Sequence, residues 1–239
     1  MRKLFLPLLM TLLLSSILIF AQQPEGPTIT YNLTVNATPR PATQITTAGG
    51  TFTFLNLNST TQNFRWKAYV GNITGNLVLQ DANGYNIYDW KLVTIQGEVY
   101  VSRNNTINWS DIRCADNESI AQEQTQLNIT TARIDSINST FNQSVHKEFY
   151  VGLIKIPDSN CPAIATYVNG SRQATAANAS FQEILLRDTQ PRLVYVSPIE
   201  QDAYSYATGN RFDFQMILPD YGSEAISSNV PYYFYVELS

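Results

Sequence analysis

The side chains best spaced for chemistry in this sequence are amide acceptors. Asn32, Asn36, Asn58, Asn72, Asn104, Asn108, Asn117, Asn128, Asn138, Asn142, Asn169 and Asn178 each stand two residues before a Ser or Thr with no Pro between. That spacing is what an oligosaccharyl transferase needs to couple a glycan to the amide nitrogen. Chance at this composition would place roughly three or four such sites. Transfer takes place outside the cytoplasm, so the density is that of a secreted chain with a sugar-coated surface.

The two cysteines, Cys114 and Cys161, form an even pair. In an oxidising compartment they read as a disulfide that would stabilise the fold by about 4 kcal/mol in the chain-entropy model. Two cysteines and the single histidine, His146, cannot furnish a zinc or haem site, so no cofactor and no metal is expected. Asp81, Asn83, Asn86 and Asp89 bring oxygens together as calcium loops do. However, Gly84 follows Asp81 by three residues where an EF-hand requires five, and no Glu closes the loop. A hairpin turned at Asn83-Gly84 accounts for the same residues.

For hydrolysis there is no G-x-S-x-G and no H-E-x-x-H. His146, beside Lys147 and Glu148, reads as an exposed loop residue. Glu183, Glu200, Asp202 and Asp213 could pair across strands for glycoside cleavage, but nothing in the sequence sets two of them at the needed separation, and no catalytic residue is assigned. Tyr195, Tyr204 and Tyr206, or Trp66, Trp90 and Trp109, could stack on sugars; core packing accounts for them better.

Residues 1–21 read as a signal peptide: Met1-Arg2-Lys3, an apolar run to Phe20, then Ala21. An uncleaved N-terminal anchor is the alternative, the run being near the lower limit for a membrane span. Residues 22–27 are a Pro/Gly linker. Cleavage would remove Arg2 and Lys3, leaving 13 Lys+Arg against 19 Asp+Glu and moving the net charge from -4 to -6. Nucleic acid is therefore not an expected partner, and no membrane anchor is expected after cleavage.

The elements that must carry these residues are mostly strands. Ile29, Tyr31, Leu33, Val35 and Ala37 alternate with polar residues, which predicts a half-buried strand over Thr28–Thr38 with Asn32 and Asn36 on its polar face. Further strands are predicted at Thr51–Leu57, Phe64–Val70, Leu77–Gln80, Asn86–Trp90, Leu92–Ile95, Val99–Arg103, Ala163–Val168, Phe181–Arg187, Leu193–Pro198, Phe212–Leu218 and Tyr232–Leu238. The last of these is apolar on both faces, which implies a central strand or a covered edge. Between the cysteines, Ile120, Leu127, Ile134, Ile137 and Phe141 share one helical side, and Ser119 with Gln122 suggests a capping box, predicting a helix of some six turns over about 117–143. The expectation is a mainly β, antiparallel, sandwich-like domain over 28–239 with one long helical insertion. The alternative is two β lobes, 28–113 and 147–239. Acceptors are absent from 73–103 and from 181–239, stretches that are either core strands or a face kept bare for contact.

The run Trp66-Lys67-Ala68-Tyr69-Val70-Gly71-Asn72-Ile73-Thr74-Gly75-Asn76, the stretch Asp81-Ala82-Asn83-Gly84 through Tyr88-Asp89-Trp90, Phe212 to Pro219 and the ending Tyr232 to Leu238 resemble secreted, β-rich surface proteins of archaea. That group supplies no activity to carry over. No acceptor has Asp or Glu two residues before its Asn, which fits archaeal or eukaryotic rather than bacterial transfer. The chain departs from archaeal type IV pilins in lacking a Gly cleavage site before an apolar N-terminal helix. The expected function is a secreted or cell-surface structural protein or filament subunit, with Thr28–Thr38 either paired within its own domain or given to a neighbouring copy in self-association. A soluble carbohydrate-binding module is the alternative, and a glycoside-acting enzyme the third reading.

Overall fold

Gln182–Arg187 and Leu193–Pro198 bury nearly every side chain on both faces. Strands of this kind need cover above and below, and the architecture supplies it. The computed structural model describes residues 23–221 and 230–239; the expected leader, 1–21, lies outside them. Strands make up 32% and helices 8%, so the protein is mainly β, and every pairing is antiparallel.

In chain order the strands are β1 (Trp66–Gly71), β2 (Asn76–Gln80), β3 (Asn86–Lys91), β4 (Gly97–Ser102), β5 (Arg113–Cys114), β6 (Phe149–Val151), β7 (Ile154–Ile156), β8 (Ala163–Ala165), β9 (Gln182–Arg187), β10 (Leu193–Pro198), β11 (Ala203–Tyr204), β12 (Arg211–Phe212), β13 (Phe214–Pro219) and β14 (Tyr233–Leu238). The helices are α1 (Asn117–Gln126) and α2 (Ile137–Thr140). The central sheet runs β14-β4-β10-β9-β5, with β8 also on β9, while β1-β13, β2-β3, β6-β7 and β11-β12 are separate pairs. Strands from before and after the inter-cysteine segment thus interleave in one sheet.

Period-2 alternation sorts the central side chains into two cores. Val99, Val101, Leu185, Leu193 and Tyr195 meet Ile120, Leu127, Ile137, Phe141, Met216 and Leu218 from the helices and β13. Tyr100, Ile184, Leu186, Val194 and Val196 meet Trp109, Ile112, Phe149, Val151, Ile156 and Cys161 on the other side. At the start of β4, Gly97 has φ 127, and a Cβ there would lie 1.9 Å from the Glu237 carbonyl oxygen. Only glycine allows β4 and β14 this approach.

The inter-cysteine helix is shorter than its periodicity predicts. Its N-cap is Asp116, whose side chain accepts from the Ser119 N–H while the Ser119 hydroxyl accepts from the Asp116 N–H, a reciprocal box that sets the cap three residues before the expected Ser119. It ends at Gln126, and Asn128 turns into the left-handed region at φ 53, as Asn after a helix tolerates. The β-branched run Ile129-Thr130-Thr131 offers little propensity to resume, so the chain loops until Ser136 caps the single turn of α2. Arg103 forks onto the buried Glu123 at 2.6 and 2.9 Å, tying α1 to β4.

Cys114 and Cys161 form a disulfide across 47 residues, holding β5 to the layer over the second core. Replacing both cysteines by Ser should lower unfolding free energy by about 2–4 kcal/mol, measured by urea titration. An unchanged midpoint would show that the cover layer is held by packing alone.

Candidate assembly surface

The N-terminal segment overturns the prediction of a half-buried strand at Thr28–Thr38. Every residue from 25 to 64 is exposed, and no strand or helix forms between residues 26 and 63. Ile29, Tyr31, Leu33 and Val35 are 68, 77, 70 and 78% exposed. The strand predicted at Thr51–Leu57 is likewise absent, with Phe52 and Phe54 both 90% exposed, and Leu92–Ile95 is an irregular connection. Alternation prepares a segment for a sheet, but the ladder also needs a partner edge.

The point at which this segment leaves its own domain has a local cause. Glu25 exchanges both backbone hydrogen bonds with Val236, at 3.0 and 2.8 Å, on the outer edge of β14. Antiparallel pairing would next set Pro27 opposite Phe234 as a hydrogen-bonded pair. Pro27 has no N–H to donate, so the ladder stops after one bridge. β14 is therefore an edge strand of its sheet, bridged on its outer side at Glu25, the edge rather than the central version of the expectation for Tyr232–Leu238.

Beside this edge lies an open groove of about 2630 Å³, whose apolar lining includes Tyr69, Ile73, Leu77, Phe214, Phe234 and Val236. The segment from Glu25 to Val35 borders it, and one wall is β1, paired among the described residues only to β13. The other is the β2-β3 hairpin, whose turn is built as predicted: Asp81 Oδ1 accepts from the N–H groups of Asn83 and Tyr85, both at 2.9 Å, and Gly84 has φ 84. These N–H groups hold the Asp81 carboxyl below its usual range, Tyr85 first. The hairpin carries Leu79, Ile87, Tyr88 and Trp90 at 55, 80, 59 and 49% exposure.

Ten of the twelve acceptors are exposed, Asn104 and Asn108 being half-buried. The acceptor-free stretches serve two different ends. β4, β9 and β10 are core, so the Phe181–Arg187 stretch has almost no outward position, whereas β2-β3 is bare and exposed.

The remaining candidates are dispersed. His146 is fully buried, not exposed as its charged neighbours suggest. Its Nδ1 donates to the Lys147 carbonyl at 2.8 Å, and its Nε2 accepts from the N–H groups of Asn160 and Cys161 at 3.1 and 2.9 Å. The imidazole is thus a neutral clamp on the Cys161 loop, and burial lowers its pKa. Glu183 is buried under the Ile217 N–H at 2.9 Å. Glu200 pairs with Lys147, and Asp202 with Arg211. Asp213 accepts from the N–H groups of Ile73 and Asp202 at 2.7 and 2.8 Å. The aromatic sets are divided as well. Tyr195 and Trp109 are core, Trp66 packs near Phe141, and Tyr204 lies under the Arg211 guanidinium. Trp90 remains exposed with Tyr88, ring centroids 4.9 Å apart.

Sequence reasoning missed one carboxyl pair. Glu98 and Glu237 are directly opposed on β4 and β14. Glu237 accepts from Tyr100 Oη at 3.0 Å and from the Gly152 N–H at 2.9 Å, which ties the β6-β7 hairpin to the sheet. The signal was in-phase spacing: Glu98 with Tyr100, and Tyr235 with Glu237. Burial first, then the facing Glu237, pushes Glu98 up to about 8. Burial raises Glu237, and raises Glu183 well above the carboxylate range.

A Glu raised in the fold stays protonated there after its unfolded counterpart has ionised. Its stabilising contribution is full below about 4.5 and is lost as pH rises through about 8. His146, lowered in the fold, acts oppositely below its ordinary 6.5. Comparison with Glu98→Gln isolates the carboxyl: wild type should gain stability relative to this variant on going from pH 8 to pH 5, read from denaturant midpoints. A constant difference across that range would show that Glu98 titrates normally.

The geometry has no precedent to borrow a role from: comparison with protein-family models, with curated proteins and with solved structures finds no match for this chain.

Proposed function

We propose that this is a secreted, N-glycosylated structural protein, a sandwich-like subunit of the cell surface or of an extracellular filament, that joins its neighbours through Thr28–Thr38. The observation that carries the reading is an alternating segment that joins no sheet, with Ile29, Tyr31, Leu33 and Val35 all more than two-thirds exposed, rooted at Glu25 and cut from the β14 ladder at Pro27. Exposed apolar surface on this scale marks an interaction site. Donating a strand uses main-chain hydrogen bonds for strength and alternate side-chain pockets for register.

The twelve acceptors, ten on exposed residues, support a surface that faces the exterior. The disulfide suits an oxidising compartment. The resemblance to secreted surface proteins of archaea points the same way. The second reading, a carbohydrate-binding module, rests on the exposed Tyr88 and Trp90. Their ring planes meet at 62°, whereas a flat sugar platform needs rings lying in one plane.

Removing residues 28–38 while keeping the Glu25 bridge should leave a folded protein with unchanged thermal unfolding that no longer forms polymers by light scattering or electron microscopy. Intact protein that stays monomeric at high concentration, or a truncated form that still polymerises, would overturn the assembly reading.

A further inference from the structure

Given the assembly reading above, on which this step rests, the question is where the donated strand goes. We propose that it enters the groove between β1 and the β2-β3 hairpin of a second copy of this chain, pairing with the open edge of β1 and turning Ile29, Tyr31, Leu33 and Val35 into the apolar lining.

The register of β1 shows which of its backbone groups await a partner. The Asp220 N–H donates to the Arg65 carbonyl, which makes the odd-numbered residues of β1 the hydrogen-bonded ones in the register Trp66 with Pro219 through Gly71 with Phe214. Pro219, lacking an N–H, fits the non-bonded class this assigns it. The outward groups of β13 are also taken: the Ile217 N–H donates to Glu183, and the Gln215 carbonyl accepts from Ser197 Oγ. On β1 the alternate groups, those of Trp66, Ala68 and Val70, point away from β13, and among the described residues β1 has no other strand neighbour. Ala68 is exposed. An open strand edge of this kind is a template for another chain.

The opposite wall gives an independent reason. A lone two-stranded hairpin is marginal in water, yet all six residues of β3 are exposed. An inserted strand would give β2-β3 something to pack on. The occupant is a second copy because the chain's own segment, which borders the groove from Glu25 to Val35, leaves its apolar side chains in solvent there. Asn72 and Asn142 also border it, and both are exposed.

Two substitutions address the groove without touching the donor. Ala68→Pro removes an outward N–H and no bond to β13. Val78→Thr keeps a β-branched strand residue and creates an acceptor at the exposed Asn76 on the groove wall. Tyr85→Ser, which creates one at Asn83 on the hairpin tip, is the control.

A labelled peptide of residues 27–38 is titrated onto chain lacking 28–38, made in a host that glycosylates such sites, with circular dichroism checking each variant's fold. Saturable binding is expected, weakened about tenfold by Ala68→Pro and abolished by the glycan at Asn76, with the Asn83 glycan harmless. If intact chain never polymerises but the peptide binds in this pattern, the groove stands and the assembly reading falls. If intact chain polymerises while neither groove variant alters peptide binding, the strand docks elsewhere and this proposal falls alone. Should Ala68→Pro misfold, a photoreactive phenylalanine analogue at Tyr31 in a mixture of isotope-labelled and unlabelled intact chains decides. Cross-links between chains to residues 66–80 support the groove; cross-links within one chain, or to other surfaces, overturn it.

Discussion

The structure depends on a strand pair with no face left for water. β9 and β10 bury both sides, so the sheet they centre requires two separate covers, and each cover is secured by a different device. Over one face lie α1, α2 and β13, held by the Arg103–Glu123 fork and by side chains of β9 and β10 that reach β13: Glu183 on the Ile217 N–H and Ser197 on the Gln215 carbonyl. Over the other lie the Trp109 turn, β6-β7 and the Cys161 loop, held by the disulfide, by His146 and by Glu237.

Those attachments place ionisable groups where charge is disfavoured. Glu183, Glu98 and Glu237 are all raised by burial, because a dry layer disfavours the charged form. At Asp188 burial also raises the carboxyl, but the Arg192 guanidinium, with Nε at 2.7 Å, and three backbone N–H groups outweigh it and hold the pKa low. The same desolvation has opposite outcomes, decided by whether a cation reaches the carboxylate.

While the interior is closed, the perimeter is not. Among the described residues the exposed surfaces are adjacent: the end of the Glu25 bridge on β14, the outer edge of β1, and the β2-β3 hairpin, whose β3 is exposed throughout. The alternating N-terminal segment begins beside them. A domain that leaves its edges and its spare strand on the same side carries both halves of the proposed contact, which builds a ring where the rotation between copies closes and an open filament where it does not.

The sequence by itself determined what depends on local chemistry. Short runs rich in Thr, Tyr, Val and Ile between turn residues located β1, β2, β3, β4, β9, β10, β13 and β14 to within a few residues, because strand preference and turn residues such as Asn83-Gly84 act over short range. With two cysteines only one disulfide could form within the chain, and the acceptors are defined by their own spacing. Only the tertiary structure decided what depends on a partner. Thr28–Thr38 has all the local marks of a strand and is not one, since Pro27 cuts the ladder and no neighbouring edge takes over. The six-turn helix stopped at Gln126 because Asn128 and the β-branched run after it satisfied their backbone more readily in a loop whose Leu127 and Ile129 could be buried. His146 sits among charged residues in sequence but is buried in space, and Glu98 meets Glu237 only because antiparallel register sets residues far apart in the chain directly opposite each other.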